Sequence, residues 1–234
     1  MNRGAVADSS RVLGVDACRK GWIGFSSDLR GYFGRTIGAV VQAAEGDGAL
    51  DVVAIDIPIG LPTRGPRQAD VLARTLVGRR SSSVFSTPVR AALAAATHAE
   101  ATGISVRATG KGISQQAYAL GAKIVEVDVW VRIEVGRRVI EVHPEVSFAK
   151  MAGRPLVHPK STWAGAEERR AVLRAAGIVV PGELGLAGEM ASVDDVFDAA
   201  AASWTAARFV RDLATSYPST PEFFGDGHAA AIWA

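Results

Sequence analysis

Cysteine is nearly absent from this chain of 234 residues, in which Cys18 is the single cysteine. An intramolecular disulfide and a thiolate metal cage are therefore excluded, and a reducing compartment is expected. Long apolar runs are missing too, since no stretch of about 18 apolar residues occurs. The first residues lack a basic start followed by an apolar core, as a secretion signal would have. We therefore expect a cytoplasmic protein with no membrane segment.

Net charge is also small, because 26 Lys and Arg residues face 24 Asp and Glu residues. This balance does not by itself indicate a nucleic-acid-binding protein. The charged residues are unevenly distributed along the chain, since six arginines and one aspartate lie in the segment from Arg64 to Arg90. Two interpretations stay open for that segment: a basic surface, or a solvated helix face that happens to be rich in arginine.

The composition is that of an ordinary folded protein, with 48% hydrophobic and 21% charged residues. The length fits one large domain, or one domain with an elaborated insertion. We expect a single domain over residues 11–234 and a disordered tail over residues 1–10.

The first part of the chain has the pattern of a three-stranded meander, then a short helix, then a fourth strand. The ranges are 12–17, 22–26 and 32–37 for the meander, 39–44 for the helix and 51–57 for the fourth strand. A right-handed crossover can return the fourth strand parallel to the first and beside it.

The remaining pattern is mostly helical. It predicts helices over 68–78, 89–101 and 114–127, a loop at 103–112, and a strand over 138–142. A loop and a charged helix follow over 159–177, with residues 167–170 on the solvent side. The last strong helix is expected to begin after the N-cap Ser192 and continue to residue 210, and the segment from Tyr217 onward is expected to be irregular.

Two aspartates end apolar runs that are expected to be adjacent buried strands. Asp16 closes the first run, and Asp56 lies in the fourth-strand run just before Pro58. Burying an unpaired carboxylate costs several kcal/mol, so such residues bind a cation, meet a base or cap a turn. Two of them at one end of neighbouring strands favour a shared Mg²⁺ or Mn²⁺ site.

The late helix carries three more acids. Asp194 and Asp195 lie in its first turn, where capping explains an acid. Asp198 lies past the cap and shares a face with Asp195. A helix laid against the sheet would bring that face to Asp16 and Asp56.

Three polar residues alternate at the end of the predicted strand 138–142, namely Glu141, His143 and Glu145. Each alone is more often a structural hydrogen bonder, but clustered acids around an imidazole favour a polar site. Glu145 is the candidate for a further metal ligand. Lys160 and the loop arginines Arg19 and Arg90 are candidates for contacts with phosphate oxygens.

Several motifs, in one order over about residues 11–210, resemble the DUF429 family, described as predicted RNase H-like nucleases. They are Gly14-Val15-Asp16-Ala17-Cys18-Arg19, Ile55-Asp56-Ile57-Pro58-Ile59-Gly60-Leu61-Pro62, Ser82-Ser83-Val84-Phe85, Glu141-Val142-His143-Pro144-Glu145 and Asp194-Asp195-Val196-Phe197-Asp198-Ala199.

The resemblance implies an α/β fold with an RNase H-like, five-stranded mixed sheet and helices on both faces. Asp16 matches the acid of the first strand, Asp56 that of the fourth, and Asp195 or Asp198 that of the final helix. Residues 64–123 have no counterpart in a minimal core, and we interpret them as a helical insertion after the fourth strand.

Three functions are compatible with these residues. The leading hypothesis is metal-dependent hydrolysis of phosphodiester bonds in DNA or RNA, with one or two cations bound by the acids. The second is ATP-dependent phosphotransfer, which would require a homodimer around the nucleotide. The third is a catalytically silent module that binds a nucleotide or a protein. Carboxylates of Asp16, Asp56 and Asp198 within about 6 Å of one another would favour metal chemistry.

Overall fold

Seven strands form one mixed sheet in the computed structural model, which describes residues 10–134 and 136–234. The strands are β1 Val12–Cys18, β2 Gly21–Ser26, β3 Gly31–Gly34, β4 Val52–Ile55, β5 Val139–Val142, β6 Ser216–Phe223 and β7 Ala229–Trp233. Their order across the sheet is β3-β2-β1-β4-β5-β7-β6. Strands β1, β4, β5 and β7 run parallel to one another, whereas β2 and β6 run antiparallel to their neighbours.

The helices between and around these strands have the following bounds: α1 Ile37–Glu45, α2 Gln68–Val77, a 3₁₀ helix Gly78–Ser83, α3 Arg90–Leu93, α4 His98–Thr109, α5 Gln115–Ala119, α6 Gly121–Ile133, α7 Pro144–Ala152, α8 Trp163–Ala175, α9 Leu186–Met190 and α10 Val193–Val210. Within the described ranges, none of these helices has both the length and the apolar character needed to cross a membrane.

Helices cover both faces of the sheet because the central strands are apolar on both sides. Leu13 and Val15 of β1 point to one face, where they join a core with apolar residues of α1 and α6. Val12 points to the opposite face, where it packs with Ala202 and Ala206 of α10. Alternation along a strand therefore supplies two cores, one on each side.

Helix α10 approaches β1 unusually closely at Gly14. A Cβ atom added to Gly14 would lie 2.1 Å from the backbone nitrogen of Ser203 and 2.2 Å from the carbonyl oxygen of Ala199. Such distances are shorter than any van der Waals contact, so only glycine fits here. Residues 199–202 of α10 are buried alanines, whose small side chains let the helix backbone come this close to β1.

The expectation of a mixed α/β fold is confirmed, and β4 lies parallel to β1 and directly beside it. The sheet has seven strands rather than the expected five, because β6 and β7 occupy the segment that was predicted to be irregular. Strand β6 carries Pro218 and Pro221, which lack the N–H group of a ladder and are tolerated because β6 is an edge strand. Strand β7 is rich in alanine, a weak strand former.

Three predictions for residues 89–127 are wrong in their helix boundaries. The helix expected over 89–101 is divided into α3 and α4, because Thr97 accepts a hydrogen bond from the Glu100 N–H and starts a new helix. The loop expected at 103–112 is mostly helix α4, which accommodates Gly103 in its interior. The helix expected over 114–127 is the pair α5 and α6, the second of which continues to Ile133. Residues 1–9 of the predicted tail lie outside the described residues.

The helices that follow β4 are tied to the sheet by a buried ion pair. Arg67, just before α2, is fully buried and donates from Nη2 to both carboxylate oxygens of Glu141 at 2.7 Å. Burial raises the pKa of Glu141 to about 7, against the opposite effects of Arg67 and of the Ile59 N–H. Asp70 of α2 in turn accepts hydrogen bonds from the N–H and hydroxyl of Thr87, at 2.7 and 3.1 Å. The segment before α3 is thereby linked through α2 to the end of β5.

We expect Gly14→Ala to destabilise the fold by about 3 kcal/mol or more, because the added methyl group overlaps the backbone of α10. Urea unfolding followed by circular dichroism measures this change. The matched control is Gly103→Ala, whose Cβ would lie 3.5 Å from the tip of Arg107 in a helix interior and should be neutral or stabilise by up to about 1 kcal/mol. Equal, small effects of the two substitutions would contradict the close approach at Gly14.

Candidate metal centre

A cavity of about 500 Å³ opens at the carboxyl ends of the parallel strands β1, β4 and β5. In open α/β sheets this edge is where ligands bind. One side of the cavity consists of residues at the strand ends and on α10, and the other of residues from the segment between β4 and β5. The cavity therefore lies between the sheet and the helices that connect β4 to β5.

Three carboxylates converge in this cavity, each brought by a different element. Asp16 lies near the end of β1, Asp56 follows β4, and Asp198 lies in the second turn of α10. One oxygen from each lies within 4.8 Å of the other two. This satisfies the distance of about 6 Å expected for metal chemistry, and we call the three residues the aspartate triad.

Local structure explains why the aspartate triad forms. Asp16 lies two residues beyond Gly14, so its side chain points to the same face of β1, toward α10. The N–H of Asp56 donates to the carbonyl oxygen of Val15 at 3.0 Å, which continues the β1–β4 pairing past the end of β4. Asp198 directly precedes Ala199, whose carbonyl oxygen lies against Gly14. The close packing of α10 against β1 thus places Asp198 beside the ends of β1 and β4.

Burial and mutual repulsion make the triad hard to ionise. Burial, followed by the charges of Asp56 and Asp198, raises the pKa of Asp16 well above its ordinary value. Burial also raises the pKa of Asp56, and it raises that of Asp198 to about 6 although Lys160 acts in the opposite direction. A bound cation would remove this cost, since it stabilises the ionised form of each group.

Lys160 is the one lysine among the residues lining the cavity. Its Nζ donates to Oδ2 of Asp198 at 2.6 Å and lies 3.6 Å from Oδ2 of Asp194. Burial alone would lower the pKa of Lys160, but the carboxylates of Asp198 and Asp16 outweigh it and raise the pKa. The side chain is 41% exposed, so the ammonium group reaches the triad from the mouth of the cavity.

Glu145 lines the same cavity but is not part of the triad. It lies in the first turn of α7, and its Oε1 accepts a hydrogen bond from the buried side chain of Arg169. Its Oε2 has no hydrogen-bond partner within the described residues, although Glu145 is only 5% exposed. Its charge also raises the pKa of Asp56, so the two carboxylates are close. Glu145, predicted as a metal ligand, therefore keeps one carboxylate oxygen without a hydrogen bond, but it is not among the carboxylates whose oxygens lie within 4.8 Å of one another.

The donor set fits a hard divalent cation. Carboxylate oxygens are the ligands that Mg²⁺ and Mn²⁺ prefer, and oxygens on opposite sides of an octahedral Mg²⁺ are about 4 Å apart. Adjacent ligands of such an ion are about 3 Å apart, so the three triad oxygens, within 4.8 Å of one another, would draw together slightly around a shared cation. Glu145 adds a buried carboxylate oxygen, Oε2, that accepts no hydrogen bond within the described residues. The triad can thus hold a metal ion.

Asp195, predicted as catalytic, has a structural role at the start of α10. Its Oδ2 accepts from the N–H of Ser192 at 3.1 Å, while its own N–H donates to Oγ of Ser192 at 3.4 Å. This reciprocal capping box accounts for the carboxylate. Asp195 still lines the cavity, so it adds negative charge beside Asp16.

The arginines predicted to contact phosphate are not brought to the cavity. Arg19 is exposed in the turn between β1 and β2. Arg90 binds Asp128 at 2.6 and 2.9 Å and Asp226 at 2.8 Å, and it does not line the cavity. Lys160 alone of the three predicted phosphate-binding residues lies beside the triad.

The arginine-rich segment is only partly a basic surface. Arg67 is buried against Glu141, Arg90 is held by two aspartates, and Arg74 donates to the carbonyl oxygen of Val84 and to Ser86. Arg64 and Arg79 are exposed, and Arg80 lines the cavity. Half of the six arginines therefore stabilise the fold itself.

Sequence inspection missed several residues at the site. Arg169 was expected on the solvent side of its helix, but it is fully buried. Its spacing of four from the buried residues Gly165 and Leu173 is the signal that indicated an inward position. Arg80, Phe85 and Gln116 also line the cavity. Phe85 belongs to the motif Ser82-Ser83-Val84-Phe85 but was assigned no role, and no local pattern distinguishes Arg80 or Gln116 from other loop and helix residues.

Comparison with known proteins identifies a family but no activity. The model of DUF429, described as a protein of unknown function, matches residues 14–223. Neither the curated proteins nor the solved structures contain a match to this chain.

In metal-free protein, we expect Asp198 to make stability fall as pH rises. Its pKa is about 6 in the folded state and an ordinary 3.8 in the unfolded state. Between these two pH values the folded state therefore binds more protons than the unfolded state. This stabilisation is complete below about pH 4 and is lost as pH rises through 6, and it amounts to roughly 3 kcal/mol. Urea unfolding at pH 4, 5, 6 and 7 with EDTA should show this slope in wild type and a shallower one in Asp198→Asn, where Asp16, Asp56 and Glu141 still contribute.

The exposed Asp212→Asn is the control and should keep the wild-type slope. Parallel pH profiles for wild type and Asp198→Asn would contradict the raised pKa.

Proposed function

The chain belongs to the DUF429 family, whose function is unknown, and we propose that it is a metal-dependent nuclease. The reaction would be hydrolysis of a phosphodiester bond of nucleic acid with Mg²⁺ or Mn²⁺ bound. The observation that carries the proposal is the aspartate triad, three carboxylates with oxygens within 4.8 Å of one another in a cavity.

The arrangement of the strands supports the proposal. Strands β1 to β5 form a mixed sheet in the order β3-β2-β1-β4-β5, with helices on both faces. We propose that they form an RNase H-like core, which β7 and β6 extend at one edge. Two of the triad acids come from β1 and the end of β4, and the third comes from α10, as the resemblance implies for such nucleases.

The charges in the cavity favour one divalent cation rather than two. The triad carries three negative charges when ionised, and Lys160 contributes one positive charge at 2.6 Å from Asp198. Asp195 and Arg80 also line the cavity, and their opposite charges cancel. Glu145 is already paired with Arg169. A single divalent cation would neutralise the remainder, whereas a second would leave an excess of positive charge in a buried site.

The chain's own residues then have separate parts in the reaction. Asp16, Asp56 and Asp198 would hold the cation, which supplies Lewis acidity and lowers the pKa of water. Lys160 would stabilise negative charge that develops on the phosphoryl oxygens in the transition state. In this hydrolysis the oxygen of water forms a bond to phosphorus while the bond from phosphorus to the leaving oxygen breaks. One proton passes from the water to the leaving oxygen.

Asp16→Asn should abolish cation binding and hydrolysis together, because it removes a charged ligand from the triad. We expect one Mn²⁺ per chain in wild type by isothermal titration. Cleavage of mixed single- and double-stranded DNA and RNA should fall by at least about 100-fold, which corresponds to a loss of roughly 3 kcal/mol of transition-state stabilisation. The exposed Asp212→Asn should behave as wild type in both assays.

Two results would overturn the proposal. Failure of wild-type protein to bind Mn²⁺ would exclude metal chemistry at the triad. Binding of Mn²⁺ without cleavage of any nucleic acid would leave a metal-binding protein without nuclease activity.

Lys160→Met should separate cation affinity from catalysis. Loss of the ammonium group frees Oδ2 of Asp198 and removes a like charge, so Mn²⁺ affinity should rise by about tenfold. Cleavage should nevertheless fall by about tenfold or more, because a charge that stabilises the transition state is lost. Titration and cleavage assays on the same preparation measure both. Lys150→Met, on the exposed side of α7, is the control; weaker Mn²⁺ binding in Lys160→Met would contradict this role.

A further inference from the structure

The cavity beside the aspartate triad has the size of a small-ligand site. Its volume is about 500 Å³, within the roughly 300–1,000 Å³ of pockets that enclose most of a small ligand. Enzymes that enclose a single base in such a pocket take it from a single strand or extrude it from a duplex. The cavity is therefore matched to one nucleotide and is too small for a base pair with both strands.

One wall of the cavity is apolar and comes largely from the segment after β4. Phe85 and Leu120 lie on this wall together with Ile57 of the loop that follows β4. Phe85 is half-buried, so part of its ring is available to a ligand. An aromatic ring in a nucleic-acid site stacks against a base whatever its identity.

Polar groups that suit the rest of a nucleotide line the same cavity. Gln116 of α5 is exposed and carries both a donor and an acceptor, which can meet the edge of a base. Arg80 is 20% exposed, and its nearest carboxylate, Glu145, lies 3.9 Å away, so its pairing is weak. Arg80 and Lys160 are therefore two cations beside the triad that can bind a phosphate group.

The surface around the cavity is poorly suited to a long duplex. Three of the six arginines between Arg64 and Arg90 are engaged in internal contacts. Affinity for a duplex rests mainly on cations that neutralise successive phosphates. This leaves contacts within the cavity as the main source of recognition.

We infer that the cavity binds one unpaired nucleotide, with its base on Phe85 and Gln116 and its phosphate beside Arg80, Lys160 and the aspartate triad. The inference rests on the proposed nuclease function and narrows its substrate to single strands and unpaired ends. A free nucleoside monophosphate carries the same base and phosphate groups as a nucleotide in a strand. It therefore serves as a probe of the cavity, and it is the alternative ligand that the test must distinguish from a strand.

Binding of small probes to Mn²⁺-loaded protein tests the inference without reference to cleavage. Isothermal titration should show at least one of AMP, GMP, CMP and UMP binding about tenfold more tightly than ribose 5-phosphate, which lacks a base. Phe85→Ala should remove that tenfold difference, since stacking of one base contributes about this much. Phe223→Ala, a substitution of an exposed phenylalanine outside the cavity, should keep it.

A second pair of variants covers the case in which Phe85→Ala fails to fold, since Phe85 also packs against the core. Gln116→Ala should weaken nucleotide binding about threefold to tenfold without changing ribose 5-phosphate binding. Gln115→Ala is its matched control on the same helix, because Gln115 lies outside the cavity and bonds His98 instead.

Cleavage assays then separate this inference from the nuclease proposal. A single-stranded oligonucleotide and a duplex with an overhang should be cleaved at least tenfold faster than a blunt duplex. Equal cleavage of the blunt duplex, or nucleotides that bind no better than ribose 5-phosphate, would overturn the inference. Base-dependent binding that responds to Phe85→Ala, with no cleavage of any polymer, would uphold the cavity assignment and reject the nuclease. The free nucleotide would then be the ligand.

Discussion

Contact between the backbones of strand β1 and helix α10 at Gly14 sets the position of everything at the candidate site. The helix carries Asp198 and the strand carries Asp16 two residues beyond Gly14, so the separation of the two backbones fixes the separation of the two carboxylates. Buried alanines on α10 permit the approach, and Asp56 joins because β4 pairs with β1 in parallel. A geometry set by main-chain packing is less easily disturbed than one set by flexible side chains.

The protein keeps this acidic site folded by distributing positive charge around it. Lys160 reaches the triad from the mouth, and Arg169 pairs with Glu145 from the interior. Both are needed because the carboxylates lie in a region of low polarity, where an unpaired charge is costly. The raised pKa values of the triad show that this compensation is incomplete. A cation could bind such a site favourably, because it would offset the remaining repulsion among the carboxylates.

The elements whose signals are local could be predicted from the sequence. The apolar runs that end in Asp16 and Asp56, the pairing of their strands and the capped start of α10 all follow from patterns of a few residues. The inward position of Asp198, past the helix cap, also follows from helix spacing. Spacing did not separate Asp195 from it, because both lie on one face and only the structure shows Asp195 in the cap.

What depends on tertiary contacts could not be predicted. The burial of Arg67 and the choice of Glu145 as the partner of Arg169 are decided by contacts more than 20 residues away in sequence. Strand β6 contradicts its own propensity, because its prolines suit only an edge position that the sheet order creates. The residues that face the triad across the cavity come from a segment whose path no local pattern determines.

The buried pair of Arg67 and Glu141 has a consequence for the kinetics of ligand exchange. It ties helix α2 to the end of β5, and Asp70 of α2 holds Thr87, two residues from Phe85. Swinging this wall away from the sheet would separate the ion pair, at a cost of about 3–5 kcal/mol, so an open form would make up roughly one molecule in 10² to 10⁴. A ligand of the proposed kind would therefore meet a wall that is in place in nearly all molecules, and its entry would not require this ion pair to separate.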